Sequence, residues 1–159
     1  MPTDEELGFP AGMSDERELL LAWLGYLRGA VIRNVDGLTD EQARRQPDGK
    51  LISPLGVMTH LTNVEWRWID GGMRGLEVSR DEAEFHPGTD VTVAAATASY
   101  RERAAATDAT VRELSLDAPC RRHDGADLRW VLLHLINETA RHAGHADAAR
   151  ELIDGATGE

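Results

Sequence analysis

The sequence predicts an all-α fold, a four-helix bundle, on three observations. Four stretches of about 20 to 27 residues carry apolar side chains three and four apart. Helix-starting residues stand at the heads of these stretches. Strand-like signals are confined to one short segment near residue 120.

The first helix is expected from about Asp15 to Val35. Asp15 and Glu18 have the spacing of a capping box. Leu19, Leu20, Trp23, Leu24, Leu27, Val31 and Ile32 then recur at helical spacing, and Gly37 is a stop signal. Thr39 and Gln42 repeat the capping-box spacing and predict a short helix. The second long helix starts at Ser53-Pro54, a good N-cap followed by a residue suited to the first helical position. Val57, Leu61, Val64 and Trp68 carry it to about Asp70, where Gly71-Gly72 ends or loosens it. Residues 73–90 hold Gly75, Pro87 and Gly88 and read as a long loop, with length enough for a crossover. The third long helix is expected from about Val91 to Leu114 and is alanine-rich. Pro119 and Asp124-Gly125 predict a short hairpin within residues 115–127. The fourth helix runs from about Leu128 to Asp154, with Asp127 as its cap and Gly155 as its close. No repeat or low-complexity linker breaks the chain, so one domain over residues 1–159 is expected, with its core at about 14–155.

Composition narrows the function. The chain has 159 residues and a formal net charge of −11. A nucleic-acid binder needs a basic stripe to displace counterions from phosphate, and none is present. An acidic chain is repelled by anionic membrane surfaces, and no apolar run approaches the roughly 20 residues that span a bilayer. The stretch Met1–Met13 has acids and no bases, unlike a secretory signal, so cytoplasmic residence is expected. Cys120 is the sole cysteine, which excludes an intrachain disulfide and a cysteine-based zinc site. It reads as an incidental thiol. Lys50 is the only lysine among the basic residues. The arginine, alanine, glycine and aspartate bias suggests a GC-rich bacterial genome.

The informative segment runs from His134 through Glu138 and His142 to His145. At 100° per residue these four side chains fall within an arc of about 80°. Val131, Leu135 and Ala149 lie in or beside the same arc, so polar groups overlap the stripe that faces the core. Burying a carboxylate and imidazoles is costly unless something satisfies them. A divalent cation can, and ligands four apart on a helix converge on one ion. A third ligand from another helix is best supplied by His60, at the edge of the second helix's apolar face. His60, Glu138 and His142 make a two-histidine, one-carboxylate set that accepts zinc, iron, nickel or manganese. An ordinary Glu138–His142 pair on a solvated face has the same spacing. His145 could replace Glu138, hold a ligand in place, or handle protons. His134 reads as structural, and His86 and His123 receive no role. The tryptophans read first as packing residues, with Trp66 a candidate pocket wall. Arg67 and Arg141 could bind an anionic substrate group.

Leu55–Trp68, followed by Asn137–Asp147 and Leu152–Gly155, resembles the DinB/YfiT-like superfamily, within it the actinobacterial mini-circle-protein subgroup. The resemblance covers about residues 14–155. It implies a four-helix bundle with a long crossover between the second and third long helices. It also implies a metal near one end, held by one histidine of the second helix and two ligands four apart on the last. Those positions fall on His60, Glu138 and His142. Many members carry histidine where Glu138 stands; the maleylpyruvate isomerase branch carries glutamate. The added His145 leaves a three-histidine site open. Zinc is the metal expected first, with nickel, iron or manganese as alternatives.

Characterised relatives use mycothiol, bacillithiol or glutathione, and the composition favours mycothiol as co-substrate. The resemblance therefore implies a metal-dependent S-transferase in which a metal-bound thiolate attacks an electrophilic small molecule, in a protein that could form homodimers. A thiol-dependent isomerase, a metal-dependent hydrolase, or a non-catalytic metal- or ligand-binding stress protein remain alternatives at this point.

Overall fold

The computed structural model describes residues 8–158; most of the acidic N-terminal stretch read above lies outside them. Among the described residues there are five α-helices and no strand: α1 Glu16–Arg33, α2 Asp40–Arg44, α3 Pro54–Trp66, α4 Val93–Glu113 and α5 Leu128–Asp154. Four are long, and α2 is little more than one turn. The fold is all-α, as expected.

The caps account for the starts. Asp15 accepts from the Glu18 amide at the head of α1. Thr39 and Gln42 form a complete capping box on α2. Ser53 accepts from Gly56 at the head of α3, and Asp127 from Trp130 at the head of α5. Gly155 closes α5 in the left-handed region, with φ +81°. Each N-terminal cap satisfies an amide that the first helical turn leaves without a partner.

Of the two alternatives at Gly71-Gly72, the second long helix loosens rather than ends: it continues through them as a π-helix, Arg67–Met73, past the boundary expected near Asp70. Gly71 permits this packing: a Cβ there would stand 2.6 Å from the Val78 methyl of the returning loop. The hairpin expected within residues 115–127 reduces to one isolated bridge, Pro119 with Asp127. α5 begins at the next residue, so no length remains for a strand.

Cross-helix contacts fix the directions. Arg129 pairs with Glu16 at the starts of α5 and α1, and Arg150 donates to the Arg33 and Asn34 carbonyls at their ends. α1 and α5 therefore run parallel. Met58 meets Thr97, and Asp70, just past α3, meets Arg103, so α3 and α4 also run parallel. The connection between α3 and α4 must then return along the length of α3, which is the expected crossover. Within it lies a 3₁₀ turn, Glu82–Phe85.

The core has two apolar clusters. One gathers Val31, Leu55, Met58, Leu61 and Tyr100; the other gathers Leu24, Ile69, Leu128, Leu132 and Leu135. A buried ion cluster ties three of the helices together. Arg28 of α1 holds Glu65 of α3 through two bonds, 2.7 and 2.8 Å, and Asp108 of α4 at 2.9 Å. Burial works against the Arg28 charge, but the two carboxylates outweigh it and raise its pKa. Removing one partner of such a buried pair costs about 3–5 kcal/mol. Glu65→Ala is therefore expected to lose stability on that scale in urea unfolding, while a loss within the ~1 kcal/mol of a surface pair would contradict the reading.

Gly56, in the first turn of α3, brings the crossover onto the helix. A Cβ at this position would run into the Phe85 carbonyl. Alanine gains about 1 kcal/mol of helix propensity over glycine, but crowding a packed contact costs about 1–3 kcal/mol. Gly56→Ala is expected to lower the urea midpoint. An unchanged or higher midpoint would show that the turn gives way freely.

Candidate metal centre

The sequence-predicted side chains meet on the seam between α3 and α5. His60 is 5% exposed. Glu138 and His142, one turn apart on α5, are half-buried. One donor atom from each of the three lies within 4.8 Å of the others. Glu138 Oε2 and His142 Nε2 are 3.6 Å apart. That is long for a hydrogen bond. It is close to the roughly 3.4 Å expected for two ligands about 2.1 Å from one tetrahedral ion. The His60 and His142 rings meet edge to face, with centroids 4.6 Å apart.

The residues fit a divalent cation. His142 Nε2 faces the Glu138 carboxylate at a spacing that suits a shared ion better than a hydrogen bond; Nδ1, on the other side of the ring, is buried with no hydrogen-bond partner. Burial, with His60 beside it, pushes the His142 pKa down to about 4. Burial likewise lowers that of His60, against the pull of Glu84. Both imidazoles are thus neutral at pH 7, the form that binds metal. Two neutral nitrogens and a carboxylate suit zinc, nickel, iron or manganese.

The crossover supplies a fourth side chain that the sequence did not single out. Glu84 Oε1 lies 2.7 Å from His60 Nδ1. Arg67 grips both oxygens of Glu84, at 2.7 and 2.9 Å. Burial alone would raise the Glu84 pKa, but Arg67 and His60 hold it below the usual carboxylate range. Phe85 stacks on the His60 ring, with centroids 4.2 Å apart and planes 24° apart. Neither residue has a periodic pattern around it. The nearest local signal is Asp81, which caps the turn by accepting from the Ala83 amide.

His60, Glu138 and His142, with Arg67 and Phe85, line a cavity of about 400 Å³ together with Trp68, Arg80, His134 and Arg141, while Glu84 stands behind His60 outside the lining. Trp66 is half-buried and is absent from the lining; Trp68 takes the place expected of it. At helical spacing Trp66 lies about 120° around α3 from His60, against about 80° for Trp68. His134 lies in the wall rather than apart from it, stacked on Trp130 at 5.3 Å and tilted against Trp68 at 4.6 Å. Arg141 is exposed, 3.8 Å from Glu138. His145 is exposed and edge-on to His142 at 5.5 Å, outside the donor set. Cys120 is buried beneath Gly72, away from the cavity.

The depressed histidine pKa values set a pH dependence. The folded protein binds fewer protons here than the unfolded chain, so stability rises with pH across this range. The contribution is complete above the ordinary histidine value of about 6.5 and is lost as pH falls toward about 4. The metal-free protein is expected to show a falling unfolding temperature over that window, and His142→Gln a shallower fall. Identical slopes in the two proteins would contradict the assignment.

The comparisons bear on family and fold. A sequence model described as mycothiol-S-transferase matches residues 19–155. Among solved structures, the fold is similar to that of a conserved protein from Enterococcus faecalis, with a TM-score of 0.59 and 14% identity. The match covers 90% of this chain and 99% of that one, and at such identity it speaks to fold alone. No curated protein matches the chain. The family match spans most of the sequence and the helices have the matching architecture: the chain belongs to the mycothiol-S-transferase family, of the DinB/YfiT-like type.

Proposed function

We propose that the protein is a divalent-metal-dependent S-transferase that joins mycothiol to an electrophilic small molecule. The reading is carried by the His60, Glu138 and His142 donor set, open to a cavity, in a chain of that family. Zinc is the first metal to test. A divalent cation at this position supplies charge that lowers the pKa of a neighbouring thiol.

The chain's own residues account for the remaining demands. Trp68, Phe85 and Val64 give the cavity apolar walls, which exclude water and strengthen electrostatic interactions inside. Arg80 and Arg141 border the same cavity with mostly exposed side chains. They suit a carboxylate or another anionic group on the electrophile. Arg67 contributes less directly, because both its terminal nitrogens are taken by Glu84. His145, exposed beside His142, is assigned to accept the thiol proton and return it to solvent or to the leaving group. In the overall reaction the thiol loses its proton and a carbon–sulfur bond forms. The leaving group departs with the electron pair of the broken bond and takes up a proton.

The test combines metal analysis with product analysis. Wild type is expected to hold stoichiometric metal and to leave isotope-labelled thiol in the product. His60→Ala and His142→Ala are expected to lose the metal and to fall in rate by more than the roughly 10–100-fold typical of a ligand-supporting residue. Stoichiometric metal in both variants would refute the ligand set. Labelled thiol returned free beside a rearranged substrate would replace transfer with isomerisation.

A further inference from the structure

We infer that Glu84, clamped by Arg67, is a positioning residue for His60: it holds the ring proton on Nδ1 and thereby turns Nε2 toward Glu138 and His142. The inference rests on reading those three residues as a metal centre. It assigns the crossover, which lies outside both ligand-bearing helices, a part in building that centre.

The contacts leave Glu84 little freedom. Its side chain is 5% exposed. Oε1 accepts from His60 Nδ1 and from Arg67 Nη2, and Oε2 accepts from Arg67 Nη1. A carboxylate held by a two-pronged guanidinium is fixed in plane as well as in place. It therefore dictates the direction from which Nδ1–H must come. In water a neutral imidazole favours the proton on Nε2, the nitrogen that Glu84 leaves free here. Left alone, His60 would present a proton where a lone pair is needed. A carboxylate behind the ring reverses that preference and raises the basicity of the opposite nitrogen.

The backbone around Glu84 is pinned separately. The Thr59 hydroxyl donates to the Glu84 carbonyl at 2.5 Å. Phe85 stacks on the imidazole that Glu84 holds, and Gly56 leaves room for the Phe85 carbonyl against α3. Arg67 also balances the charge of Glu84, so the brace adds no net charge behind the donor set. A turn that served only to fasten the loop would need the Thr59 and Gly56 contacts. It would not need a carboxylate aimed at an imidazole nitrogen.

The test reads the tautomer first. Long-range proton–nitrogen NMR of the metal-free wild type is expected to place the His60 proton on Nδ1, and in Glu84→Ala to move it to Nε2. Zinc competition titration is expected to show affinity about 10–100-fold weaker in Glu84→Ala, with a smaller loss in Arg67→Ala. Glu84→Gln keeps the volume and an acceptor oxygen but lacks the charge; it serves for the titration if the alanine variant fails to fold, again with weakened binding expected. A wild-type proton on Nε2, or zinc affinity unchanged in a folded Glu84 variant, would overturn the inference. A wild type that binds no zinc would sink the metal reading instead, and the tautomer would still decide the role of Glu84.

Discussion

Polar side chains on a seam that two helices must bury impose the main constraint on this molecule. α3 and α5 bury Leu61, Val64, Val131 and Leu135, yet beside these residues the same helices carry His60, Glu138 and His142. Water cannot satisfy those groups fully, because His60 is buried and the other two are half-buried. The structure meets part of the demand by keeping both imidazoles neutral and by giving His60 Nδ1 a carboxylate partner. The demand that remains between His142 Nε2 and the Glu138 oxygen, 3.6 Å apart and too far for a good hydrogen bond, falls in one small volume beside His60. A cation there would resolve what the protein leaves open.

The rest of the fold holds that volume in shape. The Arg28–Glu65–Asp108 cluster joins α1, α3 and α4, and Glu65 lies only five positions beyond His60 on α3. A hydrogen-bonded ion cluster has strict geometry, and this one ties α3 to two neighbouring helices near the site. The π-helical turns from Arg67 to Met73 extend α3 beyond its α-helical end. They carry Trp68 into the cavity wall and let the loop return over Gly71. The returning loop then delivers Glu84 and Phe85 to the back and the face of the His60 ring.

Local rules made the helices legible. Asp15, Thr39, Ser53 and Asp127 act as caps within their own first turns, so their meaning does not depend on distant packing. The proximity of Glu138 and His142 was legible for the same reason, since four residues along a helix is a fixed displacement. His60 required a further step, from a helix-edge position to a partner across the bundle. Glu84 was beyond local reach. It lies in an aperiodic segment 24 positions from His60, and its role depends on how a crossover folds back. Trp68 displaced Trp66 as the cavity wall because the direction of each side chain around α3 decides which one reaches the His60 face. The hairpin signal near Asp124-Gly125 gave way to a single bridge because the cap of α5 claims Asp127.

The central claim is that two distant segments of the chain grip one divalent ion. Anomalous diffraction at the zinc edge, from crystals grown with zinc, tests it most directly. The account predicts one peak between α3 and α5, about 2.0–2.2 Å from a nitrogen of His60, a nitrogen of His142 and an oxygen of Glu138. A peak elsewhere, a site that takes His145 in place of Glu138, or no peak at saturating zinc would contradict it.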